Sequence, residues 1–391
     1  MHKWFVSYIR WIAFFFLSLC LSCTKTELRV LSEKQTALKQ LMPEVSLIAH
    51  RGSSAWAPEN TEAAMRLARN MGAHYLESDI QRTLDGYLVL FHDKTLLEKS
   101  NVRLLYPEEK LIQVKNFTLE ELLELDFGEW FNNKNKQYAR NSFENLDILT
   151  LEDLVKIAEG YRIKRNEQKK RVFHKENGRI VMEYEKDPDD NLNRPGVYLE
   201  IKYGDLYPHI EEDVKLELER LGWYADNVVD LKNIDVKEGA IGIANTPTRV
   251  VLQTFSVDVL RNLNQIFQGK MPLCFLLSAY GSVDKETYIQ WINHAIDNNA
   301  VIIAPSIPSL EPYNFQNLLL PWMYDLIKES GLLIHPYVFQ NEEQFAEYCS
   351  YSDGFMCDQL DEAIRFFSRI HPFTANGEIK NGNEWLDQLG Y

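Results

Sequence analysis

Residues 75–93 read YLESDIQRTLDGYLVLFHD, and this stretch decides how the chain folds. Two runs of strand-forming residues flank Asp85-Gly86, a dipeptide that is typical of a two-residue hairpin turn. Only residues 81–86 separate the runs, too few for a crossover helix, so the second run is expected to return antiparallel to the first. Counting outward from the turn places Asp79 opposite His92. The hairpin therefore brings His92 back to the strand that carries Glu77 and Asp79.

Short apolar runs recur along the rest of the chain, separated by segments with helical periodicity. Near-continuous apolar strands that alternate with helices indicate a parallel sheet, and eight of them predict a (β/α)8 barrel. The first connection is the clearest, because Asn60 and Thr61 can cap a helix that Gly72 ends. The eight runs are Ser46–His50, Tyr75–Ile80, Val197–Lys202, Val250–Phe255, Pro272–Leu277, Ala300–Pro305, Leu332–Val338 and Gly354–Asp358.

Residues 94–196 contain no predicted barrel strand, and we interpret them as an insertion after the second strand. Within them, Thr150 can cap a helix that leads to the third barrel strand. A highly charged stretch, residues 162–171, precedes a second hairpin around Asn177-Gly178. An insertion at the mouth of a barrel would shape substrate access. A solvated excursion that does not touch the substrate is the alternative.

The first 23 residues have the features of an export signal. Two basic residues precede the apolar run Trp11–Leu21, which is shorter than the roughly 20 residues that a transmembrane helix needs. Ser22-Cys23 resembles a bacterial lipobox, in which the cysteine becomes the lipidated first residue. We predict membrane attachment through a lipidated Cys23, with a plain secretory signal or an uncleaved anchor as alternatives. The protein is then expected to be exported, as a periplasmic or outer-membrane-associated bacterial lipoprotein.

The length of 391 residues allows two or three domains, but one barrel with an insertion also reaches this size. We interpret residues 1–23 as the signal peptide and lipidation site and residues 24–45 as a tether. The barrel then spans residues 46–370, with its insertion at about 94–196, and residues 371–391 form a C-terminal tail.

The charge balance excludes some partners. The chain has 42 basic and 57 acidic residues, a formal charge of −15, which disfavours binding to nucleic acid or to anionic lipid headgroups. Cys274, Cys349 and Cys357 have neither a zinc-site spacing nor a disulfide pattern and are expected to be free, mostly buried thiols.

Ionisable residues gather where the predicted strands end. In a (β/α)8 barrel, the C-terminal ends of the strands form the active-site face. Charged side chains that point into a barrel are costly unless they are paired or bound to an ion. Residues spaced by two project to the same side of a strand. The four sets are His50-Arg51, Glu77 with Asp79, His92-Asp93, and Glu200 with Lys202.

These residue types suit the cleavage of a phosphate ester. The carboxylates of Glu77, Asp79 and Glu200 are the ligands that hard cations such as Ca²⁺ or Mg²⁺ prefer. Two histidines can act as base and acid, or as nucleophile and acid. Arg51 and Lys202 can stabilise an anionic oxygen. Each residue alone has a structural explanation, but packing does not explain their joint occurrence at matching strand ends.

At these residues the sequence resembles the glycerophosphodiester phosphodiesterase family. The resemblance runs from about Ser46 to Phe367, apart from the charged insertion, and implies a barrel of the phosphatidylinositol-phospholipase-C-like phosphodiesterase type. The motifs that carry it include His50-Arg51-Gly52, Pro58-Glu59-Asn60-Thr61, Glu77-Ser78-Asp79, Asp85-Gly86, His92-Asp93, Glu200-Ile201-Lys202, Gln253-Thr254-Phe255 and His335-Pro336-Tyr337.

The resemblance also implies a role for each matched residue. For Tyr337, packing at the barrel mouth is the alternative to a contact with substrate. The implied roles are a catalytic pair formed by His50 and His92, ligation of one divalent cation, Ca²⁺ or Mg²⁺, by Glu77, Asp79 and Glu200, and substrate binding by Arg51, Lys202, Glu59 and Tyr337.

The implied reaction is hydrolysis of a glycerophosphodiester, such as glycerophosphocholine, to sn-glycerol 3-phosphate and an alcohol. Thr254 stands where this family often has Ser, and Val338 where Thr is usual, and both lie in the C-terminal half, where the substrate-side contacts of the family vary. One alternative is a lysophospholipase D-like phosphodiesterase. Another is a surface lipoprotein that mainly binds a ligand or a host protein.

Overall fold

Eight parallel strands form a ring at the centre of the chain, which confirms the predicted barrel. The computed structural model describes residues 26–391 apart from 228–229, 310–313 and 371–378. The strands, in chain order, are β1 (Ser46–Ala49), β2 (Tyr75–Arg82), β3 (Leu88–Leu90), β4 (Tyr161–Ile163), β5 (Phe173–Glu176), β6 (Arg179–Met182), β7 (Tyr184–Lys186), β8 (Gly196–Ile201), β9 (Val250–Thr254), β10 (Leu273–Leu277), β11 (Ile302–Pro305), β12 (Leu333–Ile334) and β13 (Gly354–Cys357).

The barrel nearly closes on itself. The strand order is β12-β11-β10-β9-β8-β2-β1-β13. The two ends of this sheet meet where the Asp353 amide donates to the Ile334 carbonyl at 2.8 Å and where Phe339 forms a parallel bridge with Cys357. The C-terminal ends of all eight strands therefore surround one opening, which we call the mouth.

Helices alternate with the barrel strands and cover their outer faces. The helices are α1 (Glu33–Lys39), α2 (Glu62–Met71), α3 (Val102–Leu105), α4 (Leu119–Leu122), α5 (Glu129–Lys134), α6 (Leu151–Ala158), α7 (Ile210–Arg220), α8 (Val257–Phe267), α9 (Lys285–Asp297), α10 (Pro321–Ser330), α11 (Glu342–Tyr348), α12 (Leu360–Ser368) and α13 (Gly382–Gln388). As predicted, α2 ends at Gly72, whose φ of 107° is left-handed, and Thr150 caps α6 in a capping box with Asp153. Within the described residues, no helix is both long and apolar enough to cross a membrane.

The hairpin after β2 exists, but the predicted register was wrong by one residue. β3 pairs antiparallel with β2, with Ile80 opposite Leu90, and the Thr83 amide donates to the Tyr87 carbonyl at 2.9 Å. The loop therefore has three residues and ends on Gly86 at a φ of 88°, the geometry of a loop with a glycine bulge. Asp79 consequently lies opposite Phe91, and His92 follows one position later.

The predicted insertion consists of two separate parts. Residues 94–148 form short helices and loops at the mouth, and α6 is the crossover helix. A charged excursion, which we define as residues 161–187, leaves the chain after α6 and contains the predicted hairpin as β5 and β6. At its base, Asp187 accepts hydrogen bonds from Arg66 at 2.7 Å and from Arg69 at 2.6 Å, all three side chains being buried. The base of the excursion is thus fixed to the outside of the barrel, and its hairpin reaches toward the mouth, where Lys175 pairs with Glu120 and the Ile180 amide donates to the Tyr87 hydroxyl.

Residues 26–45 differ from the predicted tether because they pack against the barrel. The Gln35 side chain of α1 is buried and donates to the carbonyls of Ile296 and Ala300, at 3.2 Å and 2.8 Å. The Lys39 ammonium donates to the Gly331 carbonyl at 2.7 Å. These contacts place α1 across the end of the barrel opposite the mouth. The predicted signal peptide and Cys23 lie outside the described residues.

The predicted C-terminal tail also carries a packed helix. Leu386 of α13 is fully buried, and Arg140 donates to the backbone carbonyl of Tyr391 at 2.7 Å. Residues 379–391 are therefore part of the folded protein. Cys274, Cys349 and Cys357 are free thiols, as predicted, and the side chain of Cys349 is half-buried.

Candidate active site

A cavity at the mouth brings most of the predicted site residues together. It receives residues from the ends of several strands, which is where a barrel builds its active site. Asp79 lies just behind Glu77 and Glu200, and Glu59 lies outside the cavity lining. The lining residues are His50, Arg51, Glu77, His92, Glu200, Lys202, Gln253, Phe255, Leu276, Phe315, Tyr337, Val338, Met356 and Asp358.

Three buried carboxylates form the polar centre of this cavity. One oxygen from each of Glu77, Asp79 and Glu200 lies within 4.8 Å of the others. Strand register explains the arrangement, because Asp79 of β2 is paired with Glu200 of β8, and Glu200 is paired with Gln253 of β9. Alternation along β2 then places Glu77 on the same side as Asp79.

The three carboxyl groups have unequal pKa values. Burial and the neighbouring Asp79 raise the pKa of Glu77 well above its usual range. Burial also raises the pKa of Glu200 to about 7, although the Lys202 ammonium opposes this rise. For Asp79, burial acts in the same direction, but His92 and Arg51 outweigh it and lower the pKa. The three groups therefore resist ionising together, because water does not screen their mutual repulsion.

The donor set fits a hard divalent cation. Oxygen ligands from several carboxylates are what Ca²⁺ and Mg²⁺ prefer, and a cation here would relieve the repulsion that raises the pKa of Glu77. Gln253 supplies a further polar group, since its Nε2 donates to Glu77 at 2.9 Å. Its Oε1 is buried and has no hydrogen-bond partner within the described chain. Gln253 had no predicted role, although its motif was part of the resemblance.

Each predicted catalytic histidine is held by a carboxylate. His50 Nδ1 lies 2.7 Å from Asp358 Oδ1, and His92 Nδ1 lies 2.7 Å from Asp93 Oδ1. Because a carboxylate accepts hydrogen bonds, we assign the proton of each neutral imidazole to Nδ1, which leaves Nε2 as the acceptor. Burial and Arg51 lower the pKa of His92 to about 4, so this imidazole is neutral near pH 7.

Asp358 is a site residue that the sequence analysis missed. It follows β13 directly and also accepts a hydrogen bond from Ser54 Oγ at 3.1 Å. The same strand-end rule that selected the other residues would have found it, since the predicted run Gly354–Asp358 ends on this residue.

Arg51 connects the carboxylates. Its amide donates to Glu77 Oε2 at 2.8 Å, its Nε lies 3.4 Å from Asp79 Oδ2, and its Nη1 donates to Glu59 at 3.1 Å. The residue has a left-handed φ of 56°, and Gly52 follows with a φ of 84°. A Cβ on Gly52 would lie 2.7 Å from the Ala64 backbone, so this sharp turn requires glycine.

Lys202 is held against the carboxylates from the opposite direction. Its ammonium lies 3.0 Å from Glu200 Oε1 and 3.8 Å from Asp79 Oδ1. Burial would lower the pKa of Lys202, but these two carboxylates raise it. The lysine is therefore charged and faces the cavity.

Glu59 is held by two cations. Besides Arg51, Lys99 donates to Glu59 Oε1 at 2.5 Å and to Asp93 Oδ1 at 3.3 Å. Burial would raise the pKa of Glu59, but the two cations lower it to about 2. The predicted contact of Glu59 with substrate stays a prediction. Lys99 was missed because it lies in an irregular loop and no pattern marks its position.

Tyr337 faces the cavity with its ring. The ring packs edge-on against Phe255 and Phe315, with centroid distances of 5.8 Å and 5.6 Å. Its hydroxyl donates to the Leu277 carbonyl at 2.6 Å. The position of Tyr337 therefore agrees with both interpretations. The ring packs at the mouth of the barrel, and its face could also contact a substrate in the cavity.

The site and the fold can be compared with known proteins. The model of the glycerophosphoryl diester phosphodiesterase family matches residues 50–200. A glycerophosphodiester phosphodiesterase of Bacillus subtilis is 26% identical over 295 residues, which cover 75% of this chain and 76% of the relative.

Solved structures show the same fold. A glycerophosphodiester phosphodiesterase from Agrobacterium tumefaciens superposes with a TM-score of 0.50 at 21% identity, covering 83% of this chain and 99% of that one. A phosphodiesterase from Oleispira antarctica, in complex with the product sn-glycerol-3-phosphate, has a TM-score of 0.53 at 19% identity and covers 85% and 98%. By motif and by the match over residues 50–200, the chain is similar to the glycerophosphodiester phosphodiesterase family, and it shares the barrel fold of the solved structures.

Proposed function

We propose that this protein hydrolyses glycerophosphodiesters to sn-glycerol 3-phosphate and a free alcohol. The observation that carries the proposal is the cavity itself, which is lined by two carboxylate-held histidines, two cations and the carboxylates of Glu77 and Glu200, with Asp79 buried beside them. The names of the Bacillus relative and of the Oleispira structure with its product support the same substrate class.

In this proposal the two histidines move protons. One neutral histidine accepts the proton of the attacking oxygen on its Nε2, and the other histidine, which must start in its protonated form, gives its Nε2 proton to the alcohol that leaves phosphorus. Asp358 and Asp93 keep the rings of His50 and His92 oriented and stabilise their protonated forms.

Glu77, Asp79 and Glu200 would hold one divalent cation. When bound, such a cation neutralises charge on the phosphodiester and polarises its oxygens. Arg51 and Lys202 add positive charge beside the phosphate and keep the carboxylates in place. The apolar wall, which includes Phe255 and Phe315, would exclude water from this region.

The test is release of glycerol 3-phosphate from glycerophosphocholine by chelator-treated protein, with and without added Ca²⁺ or Mg²⁺. We expect cation-dependent release that His50→Ala and Glu77→Ala abolish. His174→Ala is a matched control, because His174 lies exposed on the excursion and its loss should leave the rate unchanged. No release from any glycerophosphodiester by folded, metal-supplemented protein would refute the proposal.

A lysophospholipase D-like activity is the second candidate. Five apolar residues line the cavity alongside the polar centre, and they could hold part of a lipid chain. Release of choline from lysophosphatidylcholine in the same assay, faster than from glycerophosphocholine, would favour it. The residues are Phe255, Leu276, Phe315, Val338 and Met356.

We also propose that the protein is exported and attached to a bacterial membrane through a lipidated Cys23. The support is the sequence of the first 23 residues. Mass spectrometry of the mature N-terminus would show a lipid-modified cysteine at position 23, and Cys23→Ser would abolish the modification. An unmodified N-terminus downstream of Cys23 would contradict lipidation and leave only export.

A further inference from the structure

A loop at the mouth exposes four leucines. This mouth loop, residues 97–111, is closed at its base by a hydrogen bond from the Leu96 amide to the Ile112 carbonyl at 2.9 Å. Val102 of the same loop is fully buried, so the loop has its own inward-facing apolar contacts. The outward leucines are Leu97, Leu104, Leu105 and Leu111, with 42%, 76%, 46% and 61% of their surface exposed.

The mouth loop adjoins the active site. Lys99, which belongs to it, bonds to Glu59 and Asp93. Asp93 in turn orients His92. A molecule or surface that binds the exposed leucines would therefore lie beside the entrance to the cavity.

Other exposed apolar residues surround the same entrance. Each lies on a loop at the C-terminal ends of the barrel strands, and Tyr280 is completely exposed. With the four leucines they make eight of the fifteen large apolar side chains that are exposed in the described part of the chain. Large exposed apolar surfaces commonly mark sites that bind another protein or a membrane. The additional rim residues are Leu84, Phe255, Tyr280 and Leu320.

The N-terminal segment runs toward this same end of the barrel. Helix α9 begins at the mouth, because it follows β10, and it ends at the opposite side. Arg29 pairs with Asp297 in the last turn of α9, whereas the Thr26 hydroxyl donates to Glu286 in the first turn at 3.1 Å. The sequence preceding Thr26 contains the apolar run 11–21, and Cys23 is only three positions away. Any membrane attachment through these residues therefore originates at the mouth.

We propose that this rim, the mouth loop together with Leu84, Phe255, Tyr280 and Leu320, docks on the surface of the lipid bilayer that holds the N-terminus. The active site then opens toward the membrane. A zwitterionic surface suits the rim better than an anionic one, because the protein carries a formal charge of −15. Leucine and tyrosine side chains enter the headgroup region of such a surface readily. The proposal rests on the proposed attachment through Cys23 and is independent of which phosphodiester the site hydrolyses.

The test uses the full chain reconstituted into phosphatidylcholine vesicles that contain brominated phosphatidylcholine. An environment-sensitive fluorophore is attached to Leu104→Cys or, as a second position, to Leu111→Cys. Leu41→Cys is the matched control, since Leu41 is half-exposed beside α1 at the opposite end. All variants carry Cys349→Ser, and the signal of a protein without an introduced cysteine is subtracted.

We expect the vesicles to quench the probes at positions 104 and 111 at least twofold and the probe at position 41 not at all. Equal quenching at all three positions would mean that the protein has no fixed orientation. Quenching at none would mean that the rim faces solution or a second copy of the chain. Either result, quenching at position 41 alone, or a protein that does not float with the vesicles would overturn the proposal.

Discussion

Asp358→Asn isolates the contribution of the carboxylate that holds His50. The 2.7 Å contact between Nδ1 and Oδ1 has the length of a charge-assisted hydrogen bond. Such a bond contributes about 1.5–3 kcal/mol, roughly twice as much as a neutral one. Replacing the carboxylate with an amide therefore removes about 0.8–1.5 kcal/mol of the support for a protonated His50.

The lost support for the protonated His50 raises the activation free energy by the same amount and so lowers kcat. Since 1.36 kcal/mol corresponds to a factor of ten, kcat for glycerophosphocholine should fall about 4- to 13-fold, with little change in KM. His50→Ala removes the proton transfer itself and should cost about 10²- to 10⁴-fold. Ser54→Ala is the control, because Ser54 donates a longer hydrogen bond to the same oxygen, at 3.1 Å, and its loss leaves the carboxylate beside His50 in place, so it should cost less than about threefold.

The assay is steady-state release of glycerol 3-phosphate with saturating cation. A wild-type kcat in Asp358→Asn would mean that the carboxylate does not support His50. A loss as large as that of His50→Ala would mean that the asparagine amide donates to Nδ1 and fixes the wrong tautomer, so that Asp358 positions His50 mainly by selecting its tautomer. The wild-type value would refute the positioning role derived from the structure.

Four further outcomes are expected. Addition of Ca²⁺ or Mg²⁺ should raise the Tm of chelator-treated protein, because a bound cation relieves the carboxylate repulsion, and Glu77→Gln should lose most of this rise in differential scanning fluorimetry. In urea unfolding, Asp187→Asn should cost about 3–5 kcal/mol by removing the nearest carboxylate of two buried arginines, Arg66 and Arg69, whereas Glu183→Gln in a surface pair should cost less than about 1 kcal/mol; equal losses would contradict this. Burial would raise the pKa of Asp187, but two arginines hold it at about 2, below the value of about 3.9 in the unfolded chain. The free energy of unfolding should therefore decline as the pH falls from about 4 toward 2. Asp187→Asn should weaken this decline. Lys99→Met should lower kcat up to about tenfold, since Asp93 loses a cation that fixes it beside His92. An unchanged kcat would mean that Lys99 does not influence His92 through Asp93.

The barrel and the centre of its site could be predicted because both follow from local rules. Buried parallel strands are nearly continuous in apolar residues, and the site residues sit where those strands end. Glu77 and Asp79 needed only the period of two along β2 to be placed on one side. The register of the hairpin failed because Asp85 is engaged by the Thr83 hydroxyl at 2.6 Å and by the Leu119 amide at 3.0 Å, contacts that stabilise a three-residue loop.

The remaining differences arise from contacts between distant parts of the chain. Lys99 reaches the site through a loop whose path no periodicity reveals. The polar segment before β1 looks like a linker in the sequence, yet Gln35 finds carbonyl partners more than 260 positions away. The C-terminal segment has the same property, since Arg140 holds Tyr391. Such pairings are not encoded in the composition of the short segment itself.

The parallel pairing of β1 with β13 has a consequence for the order of folding. Ser46 pairs with Gly354, so the first and last barrel strands are neighbours although most of the chain separates them. The ring cannot be completed until residue 357 is available, and the entropy of closing so large a loop must be overcome before that pairing is gained. A chain truncated before β13 would leave β1 with an unpaired edge, which is a template for aggregation. Successful folding therefore requires that β13 pair with β1 before the exposed edge of β1 pairs with a strand of another molecule.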